Sequence, residues 1–278
     1  MRKFVITGAA MFLLAACGAG EEASQSGSPV DTASFDGADY STEAEMLAHG
    51  DRLAKLLSCN SCHQDNYAGI HFGEAIPLVD GLYASNISVA MPSMSDAELE
   101  VLLRDGIHPD RGDMFVMPSK ATHFLSEPDM RALIGFLRSI PPVGEELPPP
   151  PPGFQQTMAD RLGFEHYHSA AEEVAEFVER RAPAVSADTT RGYYIATIMC
   201  TACHGAGLDG IGEPAGDIQL ALEYSDEEFE RLLTESVDRT GKRVIVEWGF
   251  GHESMELTAS ERKAAIAYTR KLAEQRAQ

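Results

Sequence analysis

The 278-residue sequence is poor in positive charge: 22 lysines and arginines stand against 43 aspartates and glutamates, a formal net charge of −21. A surface of this sign repels phosphate backbones, so we expect no nucleic-acid partner and expect protein partners with basic docking surfaces. The sequence also lacks a phosphate-binding loop, a dinucleotide fingerprint and the G-x-S-x-G elbow of hydrolases. Nothing in it therefore points to nucleotide chemistry or serine hydrolysis.

Cysteine is scarce as well, with five residues in the chain. Four of them form two copies of the pattern C-x-x-C-H, in which two thiols add to the vinyl groups of a haem and the histidine ligates the iron. The sequence therefore predicts two covalently bound c-type haems. The residues that would hold them are Cys59, Cys62 and His63 in the first copy and Cys200, Cys203 and His204 in the second.

A zinc half-site or a thioredoxin-like dithiol also uses C-x-x-C pairs. However, Cys59 and Cys200 lie 141 residues apart, far beyond the spacing of zinc ribbons, and each pair is followed at once by a histidine. We therefore favour haem over both alternatives.

The fifth cysteine ends a segment that is typical of export. Arg2 and Lys3 precede an apolar run over 4–14 and small residues that lead to Cys17. This run is too short to remain as a membrane anchor, so residues 1–16 are predicted to be a cleaved signal peptide. The sequence around Cys17 resembles the bacterial lipobox, which implies a diacylated Cys17 and a protein anchored to a bacterial membrane, facing the periplasm. An ordinary signal peptide with a chance cysteine is the alternative.

Composition divides the rest of the chain into four parts. Residues 17–39 are rich in glycine, serine and acid and predict a flexible tether. A first domain over 40–145 and a second over 185–278 flank a proline-rich linker with a short helix, over 146–184.

The two halves repeat one order of elements: a helix, the haem motif, a long loop, a second helix, a loop and a terminal helix. Capping-box patterns mark most of the helix starts. No alternating run is long enough for a central strand, so the predicted fold class is all-α. The predicted N-caps are Thr42, Ser95 and Ser126 in the first half and Ser225 and Thr258 in the second.

Each half resembles a class I cytochrome c domain, in which a small helical shell surrounds one haem. The resemblance covers about residues 41–142 and 188–274 and is closer in the first half, where the stretches that carry it are residues 86–88, 102–106, 117–118 and 136–142. The tandem is similar to the multihaem cytochrome c subunits of bacterial membrane-bound dehydrogenases. The resemblance implies two tandem helical haem domains.

The sixth ligand decides what each haem does, because a methionine opposite the histidine fills the coordination sphere and raises the potential. For the first haem we expect Met117, which follows His63 by 54 residues and precedes Pro118, where members of the family place their ligand. Met91 is the runner-up, and Met94 and Met114 are further candidates.

For the second haem we expect Met255, the only methionine downstream of His204. The family position, however, falls near residues 246–249, which hold no methionine. His252 is therefore a rival, because bis-histidine ligation would also fill the site.

The resemblance implies a carrier, not an enzyme, that passes single electrons between a dehydrogenase or quinone-linked donor and a downstream respiratory acceptor. The alternative is a dihaem redox enzyme of the peroxidase or thiosulfate-oxidising type with a catalytic second haem, for which no acid or base can be assigned from the sequence. A gas sensor has the least support.

Overall fold

The computed structural model describes residues 33–163, 165–210, 215–244 and 251–278. The predicted signal peptide, Cys17 and most of the tether lie outside these ranges, as do residues 245–250. The described chain is mostly helical, which confirms the predicted all-α class. Its helices are α1 Glu43–Leu56, α2 Cys59–His63, α3 Ile87–Ala90, α4 Asp96–Asp105, α5 Ser119–Thr122, α6 Glu127–Ser139, α7 Phe154–Leu162, α8 Ala170–Arg180, α9 Thr190–Met199, α10 Thr201–His204, α11 Asp226–Glu235 and α12 Ala259–Arg276.

Strand structure in the described ranges is confined to short antiparallel pairs. Ile70–His71 (β1) pairs with Tyr83–Ala84 (β2), and Ile107–His108 (β3) pairs with Gly112–Asp113 (β4). An isolated bridge joins Val237 to Arg243. None of these pairs builds a central sheet, so the core is formed between helices.

Capping boxes start the helices where the sequence predicts them. In each box the N-cap side chain accepts a hydrogen bond from the N3 backbone N–H, and the N3 glutamate side chain accepts one from the N-cap backbone N–H. The four N-caps are Thr42, Ser95, Ser225 and Thr258. Ser126 differs, because its hydroxyl donates to the buried Asp129 carboxylate instead. A short helix, α8, lies within the segment predicted as the linker.

The helix before the first haem motif does not run straight into Cys59. It ends at Leu56 with Leu57 as its C-cap, and Ser58 adopts a left-handed backbone with φ 58° before α2 begins. In the second half α9 passes into α10 through Cys200, whose backbone stays right-handed helical. The first half thus contains one extra residue at this junction.

The same close helix crossing recurs in both halves. A Cβ added to Gly50 of α1 would lie 2.0 Å from the carbonyl oxygen of Ala132 in α6, and one added to Gly192 of α9 would lie 2.0 Å from that of Ala264 in α12. A Cβ atom does not fit at such distances, whereas the second Hα of glycine does, which explains why glycine occupies both positions. The first and last helices of each half therefore touch backbone to backbone.

The end of the predicted tether is not free. Phe35 is buried, its backbone N–H donates to Asp129, and its ring lies 5.3 Å from that of Tyr194 in the second half. Asp36 receives hydrogen bonds from Arg191 at 2.6 Å and donates its own N–H to Glu261 at 2.8 Å. The prediction of a flexible segment is therefore wrong for residues 33–39, which are fixed between the halves.

One hydrophobic cluster continues across both halves and includes Leu53, Leu133, Tyr194 and Tyr268. Buried polar contacts reinforce it, because Tyr194 donates to Asp129 at 2.5 Å and Arg52 pairs with the fully buried Glu261. The halves are therefore held together by shared core as well as by sequence connection.

The proline-rich segment after α6 carries neither helix nor strand over residues 141–150. It is attached to the first half, since the buried Asn86 amide donates to the carbonyl oxygens of Val143 at 2.6 Å and Glu145 at 3.0 Å. The Asn86 side chain thus has a structural role that fixes the start of this segment.

Candidate haem sites

Both C-x-x-C-H motifs place their histidine in the same way. His63 Nδ1 lies 2.7 Å from the Ser85 carbonyl oxygen, and His204 Nδ1 lies 2.8 Å from that of Gly216. A carbonyl accepts only, so Nδ1 carries the proton and Nε2 presents a lone pair to a ligand. This is the tautomer and the outer hydrogen bond that metal-ligating histidines show.

The loop that follows each motif is also repeated. The N–H of Gly69 donates to the His63 carbonyl oxygen at 3.0 Å, and that of Gly210 donates to the His204 carbonyl oxygen at 3.0 Å. Both glycines have positive φ, at 75° and 85°. The backbone therefore makes the same turn after each motif, although the sequences of the two halves differ.

The four motif cysteines are free, and none is set up as a reactive thiolate. Burial raises the pKa of Cys59 and of Cys200 to about 12 and raises the pKa values of their partners Cys62 and Cys203. Dithiol redox proteins lower such pKa values instead. Among the described residues, no group of three or more histidine, cysteine or carboxylate side chains converges as a metal site would require.

A cavity of about 560 Å³ opens beside the second motif. Cys200, Cys203 and His204 line it together with mostly apolar side chains from α9, α11 and α12, among them Ile198, Phe229 and Leu232. Its volume lies in the range of cofactor pockets, and its apolar wall suits a flat macrocycle with few polar contacts. The residues present therefore fit a haem attached to this motif.

Both predicted candidates for the sixth ligand line this cavity. Met255 and His252 lie in the 3₁₀ helix His252–Met255, where residues three apart stack on one face. The His204 and His252 ring centres are 6.1 Å apart, with the ring planes inclined by 31°. Burial and the neighbouring His204 lower the pKa of His252 to about 4.

The first motif lies on the same core as Met117, because both Cys59 and Met117 are half-buried side chains packed against the hydrophobic cluster. The residue before Met117 is strained: Val116 has φ 62°, a value that is unfavourable for a β-branched side chain. Backbone strain of this kind persists only when the surrounding structure enforces it, and it is concentrated at functional sites. It favours Met117 as a functional position.

The other three candidate methionines of the first half lie in segments that are held by backbone hydrogen bonds. Met91 and Met94 are buried in the core, and their carbonyl oxygens accept hydrogen bonds from Arg138 at 3.2 and 2.6 Å. Met114 is half-buried, and its backbone N–H donates to the Gly106 carbonyl oxygen at 2.7 Å.

Sequence reasoning missed the carbonyl groups that orient the histidines. Ser85 and Gly216 act through the backbone, so their side-chain identity carries no signal. The loops that deliver them also differ in length, at 22 residues after His63 and 12 after His204. Only the three-dimensional path of each loop reveals the common role.

Comparison with known proteins adds no relative: no family model matches the chain and no curated protein matches it. Of the helices in the described ranges, none has the length and apolar character needed to cross a membrane.

Proposed function

We propose that the chain is a dihaem c-type cytochrome that carries single electrons between a dehydrogenase or quinone-linked donor and a respiratory acceptor. The observation that carries the proposal is the cavity at the second motif, which brings Cys200, Cys203 and His204 to one apolar wall. The first motif shows the same histidine bond and the same turn. When bound, haem supplies the one-electron chemistry, which the protein tunes through axial ligands and burial.

The roles of the chain's own residues follow from their positions. The cysteine thiols would form the thioether attachments, while His63 and His204, held by the carbonyl oxygens of Ser85 and Gly216, would ligate through Nε2. At the second motif, the mostly apolar cavity wall would limit the access of water to the ligating nitrogen of His204.

Residues from the first half also line the second cavity. Leu57 and Ser58 directly precede Cys59, Pro118 directly follows Met117, and all three contribute to the cavity wall. The two candidate sites therefore share a wall, which supports transfer of electrons from one haem to the other within a single chain.

Carbon monoxide distinguishes a carrier from an enzyme, because iron with two protein ligands has no position for an exogenous ligand. We expect the dithionite-reduced protein to leave carbon monoxide unbound and to titrate in two reversible one-electron steps. Binding of carbon monoxide by the native protein, with rapid reduction of peroxide, would instead favour the dihaem enzyme.

Replacing Met117 by alanine should open the first haem. Attachment through Cys59 and Cys62 does not depend on the methionine, so we expect two covalent haems per chain, one of which now binds carbon monoxide and has a lowered potential. Difference spectra of the reduced protein with and without carbon monoxide measure this. Met94→Leu is the matched control, since Met94 is buried with its carbonyl bound to Arg138; an opened haem in the control alone would exclude Met117 as the ligand.

Lipidation at Cys17 is proposed from the sequence, and its test is fractionation. Cys17→Ser should move the protein from the membrane fraction to the soluble periplasmic fraction, because the acyl chains supply the membrane affinity. Retention of the variant in washed membranes would show that another element anchors the chain.

A further inference from the structure

We propose that His252, and not Met255, is the axial ligand opposite His204, so that the second haem is bis-histidine ligated. This inference rests on the proposed function, because it concerns which residue completes that same site. Four observations support it.

The first observation is the separation of the two imidazole rings. A histidine nitrogen lies about 2 Å from the metal it binds, which puts the ring centre about 3 Å from that metal. Two histidines on opposite sides of one metal therefore have ring centres about 6 Å apart. The ring centres of His204 and His252 are 6.1 Å apart, and both rings line the same cavity.

The second observation is an unsatisfied nitrogen. The Nδ1 atom of His252 is buried and has no hydrogen-bond partner among the described residues. Buried polar side-chain atoms are normally paired, so an exception in a cavity wall calls for a specific reason. Unlike the Nδ1 atoms of His63 and His204, which are bound to carbonyl oxygens, this nitrogen is not engaged by the described part of the protein and is available to a metal.

The third observation comes from aligning the two halves on an equivalent backbone hydrogen bond. In the first half the Met114 N–H donates to the Gly106 carbonyl oxygen at 2.7 Å, directly after α4. In the second half the Val244 N–H donates to the Ser236 carbonyl oxygen at 2.7 Å, directly after α11. Met117 is three residues after Met114, and the residue three after Val244 is a glutamate. The second half thus has no methionine at the corresponding position.

The fourth observation is the anchoring of the segment that carries His252. The next residue, Glu253, accepts a hydrogen bond from Arg243 and donates its backbone N–H to the Ser236 hydroxyl at 3.2 Å. These contacts fix the start of the 3₁₀ helix to the end of α11. His252 is therefore a positioned side chain and not the tip of a free loop.

Unequal ligation gives the two haems different potentials. A thioether ligand raises the potential relative to two imidazoles, so the second haem would be the low-potential member of the pair. Electrons would then run from the second half to the first.

The test compares His252→Ala with Met255→Leu in the full-length protein, which retains both haem motifs. We expect His252→Ala to bind one equivalent of carbon monoxide per chain when reduced. Added imidazole should restore the low-spin spectrum of that variant by occupying the vacated position. Met255→Leu should leave the low-spin electron paramagnetic resonance signals of both haems unchanged. An opened second haem in Met255→Leu, with none in His252→Ala, would overturn the proposal.

A second variant covers the case in which His252→Ala does not fold. His252→Met should keep the site closed and add a second methionine-to-iron charge-transfer band to the ferric spectrum. If the native protein already shows two such bands, His252 is not the ligand. The number of covalent haems distinguishes failure of this inference from failure of the proposed function. A protein that carries haem on Cys200 and Cys203 but does not use His252 as the ligand would contradict this inference alone. A protein without covalent haem on Cys200 and Cys203 would refute both.

Discussion

Replacing Gly50 by alanine is expected to destabilise the haem-loaded protein by about 3 kcal/mol, with the same result for Gly192. The new methyl group would lie 2.0 Å from a backbone carbonyl oxygen in each case, so the helices themselves must move apart. For a chain of this size that loss corresponds to a melting temperature lower by about 6–12 °C. Thermal unfolding followed by far-ultraviolet circular dichroism measures it.

Gly135→Ala is the matched control, because Gly135 lies in α6, which also forms the first crossing. The nearest atom to its added Cβ would be the terminal methyl group of Met46, at 2.9 Å, and this flexible side chain can move away; Leu47 Cδ2 would lie at 3.7 Å, an ordinary contact. Alanine is the better helix former, so this variant should be unchanged or more stable by about 0.5–1 kcal/mol. Equal destabilisation of Gly50→Ala and Gly135→Ala would show that the crossing is not tight.

Replacing Asp129 by alanine should cost about 3–5 kcal/mol, the largest effect of a side-chain truncation that we expect. This fully buried carboxylate contacts His49 Nε2 at 2.6 Å and accepts from Tyr194 at 2.5 Å, from the Phe35 N–H at 3.0 Å and from Ser126 at 3.1 Å. Removing it leaves several buried polar groups without a partner. Because Tyr194 belongs to α9, the contact between the halves also weakens.

Asp96→Ala is the control for this variant. Asp96 pairs with Arg138 at 2.5 Å, but its side chain is 76% exposed, and exposed ion pairs contribute about 0–1 kcal/mol. Urea unfolding of both variants compares the two sites. A small effect for Asp129→Ala, similar to that for Asp96→Ala, would contradict the assignment of a cooperative buried network between the halves.

The helices could be predicted from sequence because their signals are local. Ser95 with Glu98 and Ser225 with Glu228 each complete a box within four residues, and the apolar stripe that follows needs no knowledge of distant contacts. The haem motifs are equally local, since five consecutive residues carry the pattern. The fold class, the candidate attachment residues Cys59 and Cys62 and the candidate ligand His63 therefore follow without a structure.

The contacts between distant segments could not be predicted in this way. Phe35 lies in a stretch of glycine, serine and acid that has the composition of a tether, yet Asp129, 94 residues away, accepts its N–H. Glu261 has the pattern of a capping residue and is also the buried partner of Arg52. Composition and spacing report local preference, whereas these residues are fixed by partners that only the folded chain brings together.

The choice between Met255 and His252 shows the same limit. Spacing after His204 favours the methionine, but one turn of 3₁₀ helix brings both side chains to the cavity. The distance between the His204 and His252 rings is a tertiary quantity, so sequence spacing alone leaves both residues as candidates.

The mass of the intact protein, measured after denaturation and acid extraction of loosely bound pigment, tests the central claim most directly. The account predicts a chain carrying two covalent haems, with one lost in Cys59→Ala/Cys62→Ala and the other in Cys200→Ala/Cys203→Ala. A chain with the unmodified mass of its polypeptide, produced in a host with an active haem-attachment system and exported, would contradict the proposed function.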